Sequence, residues 1–376
     1  MPAKDLTAVH SHLYASPVGG SGQLLMLYTN LYTPWDFSSM GYDTASSRNQ
    51  LHPGERIDYW YSSDPKLSIW ENVFGDQFGQ DSSGNPVCPN NASLSGYGPN
   101  QKVTPGQQIS EEWNKGPVTP TSGAYYLGQE ALFLNAPLLQ AYTTAARQDN
   151  NGLLWLQLGD SEPAHSLGDP YLVGGGSSSI AFYRNGTLIT SPEQEVNASA
   201  QGYYLPLLPR PATYQLDWTE SGTGTCTGAA MTTDWTFHSS PSDPSASLPG
   251  TETCPIDPSR GCEFLPLLFI DYNLQLNYDN QATAGRPFKV TFTVAHQQNA
   301  PSPSGVSATV SASFNDGQTW TTPAKATSQG NNQFTATIQQ PPLSSTSGFV
   351  SLRIRAHDGA GNSVDQTIIR AYGLTS

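Results

Sequence analysis

Three carboxylate residues lie in one short stretch of the sequence, where together they could bind a cation. They are Asp160, Glu162 and Asp169, and glycines lie among them as in a loop. A calcium site needs several oxygen ligands on a flexible loop, so this stretch supports a Ca2+ hypothesis. The spacing does not follow the EF-hand pattern, and solvated acids are the commoner outcome for such a loop. The sequence indicates no other cofactor.

Two adjacent hydroxyl groups, those of Ser38 and Ser39, precede Met40 and Gly41 in a turn that could expose a nucleophile. A catalytic serine would need histidine and aspartate partners, a glycine before it and a helix after it. Neither this stretch nor the seven histidines have such a context. The sequence also lacks the G-x-S-x-G elbow, the H-E-x-x-H zinc motif and the glycine-rich phosphate loops. We therefore expect no catalytic residue in this chain.

An aromatic triplet, Tyr59-Trp60-Tyr61, could form a binding surface. On a strand, Tyr59 and Tyr61 lie on the face opposite Trp60. One face must pack into a core, so the other either lies under a second packed layer or forms an exposed platform for sugar or peptide. The packed layer is the more ordinary arrangement, and the sequence leaves both interpretations open.

The four cysteines are even in number and show no C-x-x-C spacing, which disfavours zinc sites and thioredoxin-like redox motifs. Cys254 and Cys262 enclose a short segment with two prolines and a glycine, which suits a tight turn. We predict a disulfide there and a second one between Cys88 and Cys226. The alternative is four reduced thiols.

Residues 313–320 match the hairpin pattern S-x-[DN]-x-G-x-T-W, known as the Asp-box. Asn315, Asp316 and Gly317 tolerate a positive φ, and Trp320 is expected to pack back over the turn. In sialidases and related propellers the box recurs in each blade. Here it occurs once, which predicts a structural turn and no sialidase activity.

The elements that must position these residues are strands. Short runs of alternating apolar and polar residues, bounded by Gly, Pro and Asn, occur throughout the chain. No stretch keeps a helical periodicity over three turns. We predict strands at residues 6–14, 24–28, 57–61, 153–158, 180–183, 214–218, 235–238, 288–296, 306–314, 333–338, 350–356 and 364–372.

This spacing of short strands and turns predicts an all-β fold of tandem β-sandwich modules, of jelly-roll, immunoglobulin-like or fibronectin-III-like type. The pattern is clearest in the last part of the chain. Shifts in composition divide the chain into an N-terminal β module at 1–77, a loop or linker at 78–103, a central sandwich module at 104–240, a disulfide-stapled linker at 241–263 and a C-terminal immunoglobulin- or fibronectin-III-like sandwich at 264–376.

Composition and charge agree with this interpretation. Of the 376 residues, 35 are Gly and 30 are Pro, while only 12% are charged, which disfavours helices. The net charge of −14 argues against nucleic-acid binding and against an anionic membrane surface. No apolar run approaches the roughly 20 residues of a spanning helix, and the first residues lack the apolar core of a signal peptide. The composition favours a piece of an exported chain.

An ordered series of segments is similar to one protein family. It runs through residues 38–41, 56–62, 105–114, 183–189, 235–237, 265–268, 313–320, 356–362 and 369–374. The series resembles the long non-catalytic C-terminal region of large secreted subtilisin-like serine peptidases of high-GC Gram-positive bacteria. The resemblance implies a β-sandwich region that follows a catalytic domain, so that no catalytic residue is carried over. The four cysteines and the enlarged segments 78–103 and 241–263 depart from that family.

The expected function is that of a non-catalytic accessory region of a secreted subtilisin-like peptidase, for stability, substrate positioning or surface docking. Its expected partners are an upstream peptidase domain and an extracellular protein or glycan, with no nucleic acid and no membrane span. The alternative is a free-standing secreted carbohydrate- or protein-binding adhesion protein. Either role places the chain outside the cell.

Overall fold

The computed structural model of this protein describes residues 6–14, 24–32, 49–51, 54–61, 69–78, 94–97, 101–103, 106–113, 115–123, 125–126, 141–142, 145–154, 156, 158–161, 177–190, 193–197, 200–221, 230–243, 245–249, 252–254, 257 and 259–376. Strands make up the regular structure in these ranges, together with one short 3-10 helix at Leu343–Ser345. The all-β prediction is confirmed.

The strands fall into three stretches of the chain. The first contains β1 (Leu6–Leu13), β2 (Leu24–Tyr32), β3 (Asn49–Leu51), β4 (Gly54–Tyr61), β5 (Ile69–Phe78), β6 (Leu94–Tyr97), β7 (Gln101–Val103), β8 (Gln108–Trp113), β9 (Thr119–Pro120), β10 (Tyr125–Tyr126) and β11 (Ala141–Tyr142). The second contains β12 (Ala145–Gln148), β13 (Asn151–Leu154), β14 (Leu158–Gly159), β15 (Ser177–Arg184), β16 (Thr187–Thr190), β17 (Glu193–Asn197), β18 (Ala200–Pro206), β19 (Ala212–Ser221), β20 (Ala230–Ser239), β21 (Glu252–Thr253) and β22 (Glu263–Phe264). The third contains β23 (Phe269–Tyr272), β24 (Gln281–Thr283), β25 (Pro287–Ala295), β26 (Ser307–Ser313), β27 (Ala324–Lys325), β28 (Thr327–Gly330), β29 (Gln333–Gln339), β30 (Phe349–His357) and β31 (Ser363–Thr375).

A nine-stranded sheet organises the second half of the chain. Its order is β16-β15-β19-β20-β31-β30-β26-β27, with β24 paired to β31. Along β20, buried residues alternate with partly exposed ones, because successive side chains of a strand point to opposite faces. The buried face carries the large aromatic side chains Trp218, Trp235, Phe182 and Phe237.

A four-stranded sheet, β23-β25-β29-β28, packs against this large sheet. Val290, Phe292 and Phe334 from the smaller sheet share one hydrophobic core with Leu352 and Ile354 from the larger one. Two sheets that face each other across a common core form a sandwich. The predicted β-sandwich architecture is therefore confirmed, and its larger sheet also contains β15, β16, β19 and β20 from before residue 264.

Among the described residues, five further sheets involve the earlier part of the chain. Three of them have the orders β4-β1-β8, β3-β2-β5-β6 with β7 on β5, and β17-β18-β13-β12-β22. The two smaller ones are β10-β11-β21 and β14-β9. The three-stranded sheet β4-β1-β8 positions the surface described below.

Most predicted strands are present, and one is corrected. Residues 153–158, predicted as one strand, belong to two strands, since β13 ends at Leu154 and β14 begins at Leu158. The reason is that β13 pairs with β12 and β18, whereas β14 pairs with β9 in another sheet.

The predicted linkers also contain strands. In segment 78–103, β6 and β7 both pair with β5. In segment 241–263, β21 and β22 pair with β11 and β12. These strands are only two to four residues long, too short for a clear alternation in the sequence. The module boundaries stay a prediction, and β20 pairs with β31 across the boundary at 241–263.

The predicted disulfide between Cys254 and Cys262 is present, with the two Cα atoms 5.9 Å apart. Both cysteines are buried and pack against Ala146 on β12. The bond closes a loop within segment 241–263, and the packing of the two cysteines on Ala146 places that loop against the sheet. Cys88 and Cys226, the second predicted pair, lie outside the described residues.

The Asp-box forms the structural turn that its sequence predicts. Asp316 and Gly317 have φ values of 55° and 80°. The Ser313 hydroxyl oxygen accepts the Gly317 N–H at 2.9 Å, and the Asn315 side-chain oxygen accepts the Thr319 N–H at 2.9 Å. These bonds close the connection between β26 and β27.

In the part of the chain that the structure describes, no helix has the length and apolar character needed to cross a membrane.

Candidate binding surface on the three-stranded sheet

The three-stranded sheet brings three rows of side chains onto one face. The central strand, β1, is antiparallel to β4 and parallel to β8. Residues directly opposite each other share a face of the sheet. We call this the outer face, and its rows are Tyr59-Ala8-Gln108, Ile57-His10-Ser110 and Glu55-His12-Glu112.

The opposite face of the same sheet is packed against the rest of the protein. Its side chains Val9, Leu13, Ile109 and Trp113 are buried. Because the side chains of a strand alternate, burial of these residues turns the outer face toward solvent. The alternation along β1 and β8 therefore decides which residues are available to a ligand.

Two large hydrophobic side chains of the outer face are exposed. The exposed fraction of Tyr59 is 63%, and that of Ile57 is 47%. Elsewhere in the described residues, exposed large hydrophobic side chains are Leu188 and Leu343. Single exposed hydrophobic residues are common, but Tyr59 and Ile57 lie two positions apart on one strand and form a continuous patch.

Tyr278, from the turn before β24, covers the third row of the outer face. Its hydroxyl donates a hydrogen bond to Glu55 Oε1 at 3.1 Å and lies 3.1 Å from His12 Nδ1. Since the single hydroxyl proton goes to Glu55, His12 Nδ1 carries its own proton and donates to the Tyr278 oxygen. The Tyr278 ring also packs on Tyr14, with the ring centres 5.2 Å apart.

Glu112, at the other end of the third row, is held by two further groups. Lys115 Nζ lies 2.7 Å from Glu112 Oε2 and 5.8 Å from the centre of the Tyr14 ring. The Tyr14 hydroxyl donates to Glu112 Oε1 at 3.4 Å.

Burial, followed by the charge of Glu112, raises the pKa of Tyr14 to about 12. Burial and the nearby Glu55 also raise the pKa of Tyr278. Both phenols are therefore neutral donors at physiological pH.

Comparisons with known proteins add the following. No family model matches the chain. The curated proteins also contain no match.

Among solved structures, the chain is similar to an alpha-2-macroglobulin mutant from Salmonella, with 10% identity and a TM-score of 0.21 over 99% of this chain and 33% of that one. It is similar to trypsin-activated alpha-2-macroglobulin from Escherichia coli, with 10% identity and a TM-score of 0.20 over 99% of this chain and 34% of that one. A third similar structure is that of the chicken CNTN1 FN1-FN3 domains, with 10% identity and a TM-score of 0.16, over 95% of this chain and 100% of that one. The chain spans about a third of the length of the two macroglobulins.

The predicted aromatic triplet is placed in part. Tyr59 is exposed on the outer face. Trp60 and Tyr61 belong to β4, and their side chains lie outside the described residues. Tyr59 thus does not lie under a second packed layer, and the binding role of the triplet stays a prediction.

The predicted calcium ligands are also placed in part. Asp160 is only 4% exposed, so it is not the solvated loop acid that the sequence suggests. Glu162 and Asp169 lie outside the described residues. Within the described ranges, no three His, Cys, Asp or Glu side chains are arranged to hold a metal ion. The calcium hypothesis stays a prediction.

Sequence reasoning missed a row of carboxylates on the polar face of the nine-stranded sheet. Asp217 lies opposite Asp234, and Asp234 lies opposite Asp365. Arg353 and Arg355 bind Asp365, at 2.6 Å and 2.7 Å. Burial and the charges of Asp217 and Asp365 raise the pKa of Asp234 from 3.8 to about 6.

Residues on the outer face other than Tyr59 were missed as well. Histidines at positions 10 and 12 alternate with buried residues, which is a signal for one shared face of a strand. The partners of these histidines on β4, β8 and the turn before β24 come from distant parts of the sequence. The sequence carries no signal for those pairings.

Proposed function

We propose that this chain is a non-catalytic accessory region of a secreted subtilisin-like peptidase, and that it docks the parent enzyme on an extracellular surface. The single observation that carries the docking role is the exposure of Tyr59 and Ile57 on one sheet face. The ordered series of motifs supports the connection to the peptidase family. The Cys254–Cys262 disulfide supports an extracellular location, because such bonds persist in oxidising compartments.

The exposed patch has a thermodynamic reason to bind a partner. Covering a large hydrophobic side chain stabilises a complex by roughly 1.5–3 kcal/mol. Tyr59 and Ile57 are adjacent on the outer face, so one ligand can cover both. A binding role thus explains why two such residues occupy neighbouring solvent-facing positions.

The alternative is a free-standing secreted adhesion protein that uses the same surface. The outer face supports docking in either case, and the two proposals differ in what is attached to the chain. A subtilisin-like catalytic domain encoded directly upstream would favour the accessory role. An unrelated upstream gene would favour the free-standing protein.

The docking role is tested by adsorption to insoluble materials. The purified chain is incubated with collagen, keratin, cellulose and chitin, and the bound fraction is measured after sedimentation. We expect adsorption to at least one material, and at least a tenfold loss of affinity in the double variant Ile57→Ser with Tyr59→Ser. Leu188→Ser removes a side chain that is 56% exposed elsewhere and serves as the matched control. Adsorption to none of the materials, or equal loss in both variants, would contradict the docking role.

The non-catalytic role is tested separately with fluorescent casein, with and without a broad serine-protease inhibitor. We expect no turnover by the pure chain. Inhibitor-sensitive turnover would contradict the accessory role and would direct attention to Ser38 and Ser39.

A further inference from the structure

We propose that the first two rows of the outer face bind a neutral polysaccharide, with a sugar ring stacked on Tyr59. This inference rests on the docking role proposed above and names its ligand class. The six residues concerned are Tyr59, Ala8, Gln108, Ile57, His10 and Ser110.

The stacking platform is built by Tyr59 and its neighbours. Ala8 lies directly opposite Tyr59 on β1, and its methyl group is too small to cover the phenol ring. Tyr59 accordingly has an exposed fraction of 63%. Ile57, two residues away on the same face, adds apolar surface beside the ring. An aromatic ring offers large apolar area at a fixed orientation, which suits the C–H face of a sugar.

Polar hydrogen-bonding groups lie beside this platform. Gln108 lies next to Ala8, and His10 and Ser110 lie in the row of Ile57. Gln108 and Ser110 are exposed. An amide, a hydroxyl and an imidazole each offer both donors and acceptors, as do the hydroxyl groups of a sugar. Specific pockets combine apolar contact with a few such polar groups in the same way.

The charges around the platform disfavour an anionic ligand. Glu55 and Glu112 occupy the third row, and the whole chain has a net charge of −14. Lys115, a nearby cation, is paired with Glu112, and Arg56 of β4 belongs to the opposite face, in the row of the buried Ser11. Acidic glycans would therefore meet repulsion on approach, whereas neutral glycans would not.

The size of the platform disfavours a folded protein as the ligand. Strands lie about 4.8 Å apart and alternate residues about 7 Å apart, so two rows on three strands cover roughly 200 Å2. A stable protein interface needs about 800 Å2 on each partner. Tyr278 covers the third row and prevents extension of the platform in that direction.

The experiment measures affinity for neutral and acidic polysaccharides. The full chain is titrated against cellulose and chitin by sedimentation, and against soluble starch, xylan and heparin by affinity electrophoresis. We expect binding to at least one neutral polysaccharide and none to heparin. Binding to the neutral polysaccharide should change less than twofold between 50 and 500 mM salt, because salt screens charge interactions and not stacking.

Variants assign this binding to the platform. Tyr59→Ala should weaken the affinity at least tenfold, and Tyr59→Phe, which keeps the ring, less than threefold. Gln108→Ala should weaken it several-fold, and Leu188→Ser should leave it unchanged. Thermal unfolding shows that each variant is folded, which is expected because these side chains are solvent-exposed.

Several results would overturn the inference. One is wild-type affinity in a folded Tyr59→Ala variant, and another is preference for heparin. A third is adsorption to collagen or keratin that depends on Tyr59, without binding to any polysaccharide. That third result would leave the docking role intact and replace the sugar by a protein, so the two proposals fail separately.

Discussion

Tyr278 donates a hydrogen bond to Glu55 at 3.1 Å, which joins residues 223 positions apart in the sequence. The same hydroxyl accepts a hydrogen bond from His12, so one phenol contacts two strands of the three-stranded sheet. This contact attaches the sheet that carries Tyr59 to the C-terminal sandwich. It also sets one limit of the proposed binding platform.

Replacing Tyr278 by Phe removes both hydrogen bonds and keeps the ring that packs on Tyr14. His12 then loses a partner at a half-buried position and Glu55 loses one at an exposed position, so we expect the free energy of unfolding to fall by about 1 kcal/mol. Urea denaturation followed by tryptophan fluorescence measures this change. Tyr59→Phe, which removes an exposed hydroxyl, is the matched control and should change stability by less than half as much. Equal effects of the two variants would contradict a stabilising role for the Tyr278 hydroxyl.

Asp234 makes stability depend on pH. Its pKa is raised from 3.8 to about 6 in the folded protein, so the folded state holds the proton more tightly than the unfolded state. The contribution of this group to stability is therefore largest below about pH 4 and is lost as the pH rises to about 6. Because solvent screens this partly exposed carboxylate, we expect a loss of only about 1 kcal/mol.

The variant Asp234→Asn removes the titrating group between Asp217 and Asp365. It should unfold at higher urea concentration than the wild type above pH 6 and should lack this decline of stability between pH 4 and 6. Asp279→Asn, on an exposed turn, is the control and should keep the wild-type profile. A stability–pH profile of Asp234→Asn that runs parallel to that of the wild type would contradict the prediction.

Gly317 is required by the turn of the Asp-box. Its φ is +80°, and a Cβ atom there would lie 2.6 Å from Ile369 Cδ1. Gly317→Ala should lower the free energy of unfolding by about 2 kcal/mol, half from the backbone and half from the displaced isoleucine. Gly186→Ala is a matched control, because Gly186 has a φ of +78° and open space around it, so only the backbone cost of about 1 kcal/mol remains. Denaturant titration of both variants gives the difference, and equal losses would show that Ile369 moves away freely.

The Cys254–Cys262 disulfide closes a short loop and reduces the freedom of the unfolded chain. Replacing both cysteines by serine should lower stability by about 2–3 kcal/mol. Reduction of the wild type with dithiothreitol should produce at least this loss, and the double variant should lose less stability on reduction than the wild type does. An equal loss on reduction in the two proteins would contradict a stabilising role for the Cys254–Cys262 bond.

Local features of the sequence were sufficient for strands with a clear alternation and for the short-range structures. The alternation along residues 288–296 predicts β25, because a strand repeats every two residues wherever one face is buried. Asp316 and Gly317 predict a turn with positive φ, because few other residues adopt that backbone conformation. Cys254 and Cys262 are close enough in sequence for their bond to be predicted without knowledge of the fold.

The sequence by itself therefore determined the strands with a clear alternation, the Asp-box turn, the local disulfide and the exposed-or-buried alternatives for Tyr59. The tertiary structure decided which strands are neighbours. It placed Asp217, Asp234 and Asp365 in one row. It also placed Tyr278 over His12 and Glu55, and it left Tyr59 in solvent. The physical reason is that side-chain alternation and turn geometry depend on adjacent residues, whereas pairing and register depend on contacts between residues far apart in the chain.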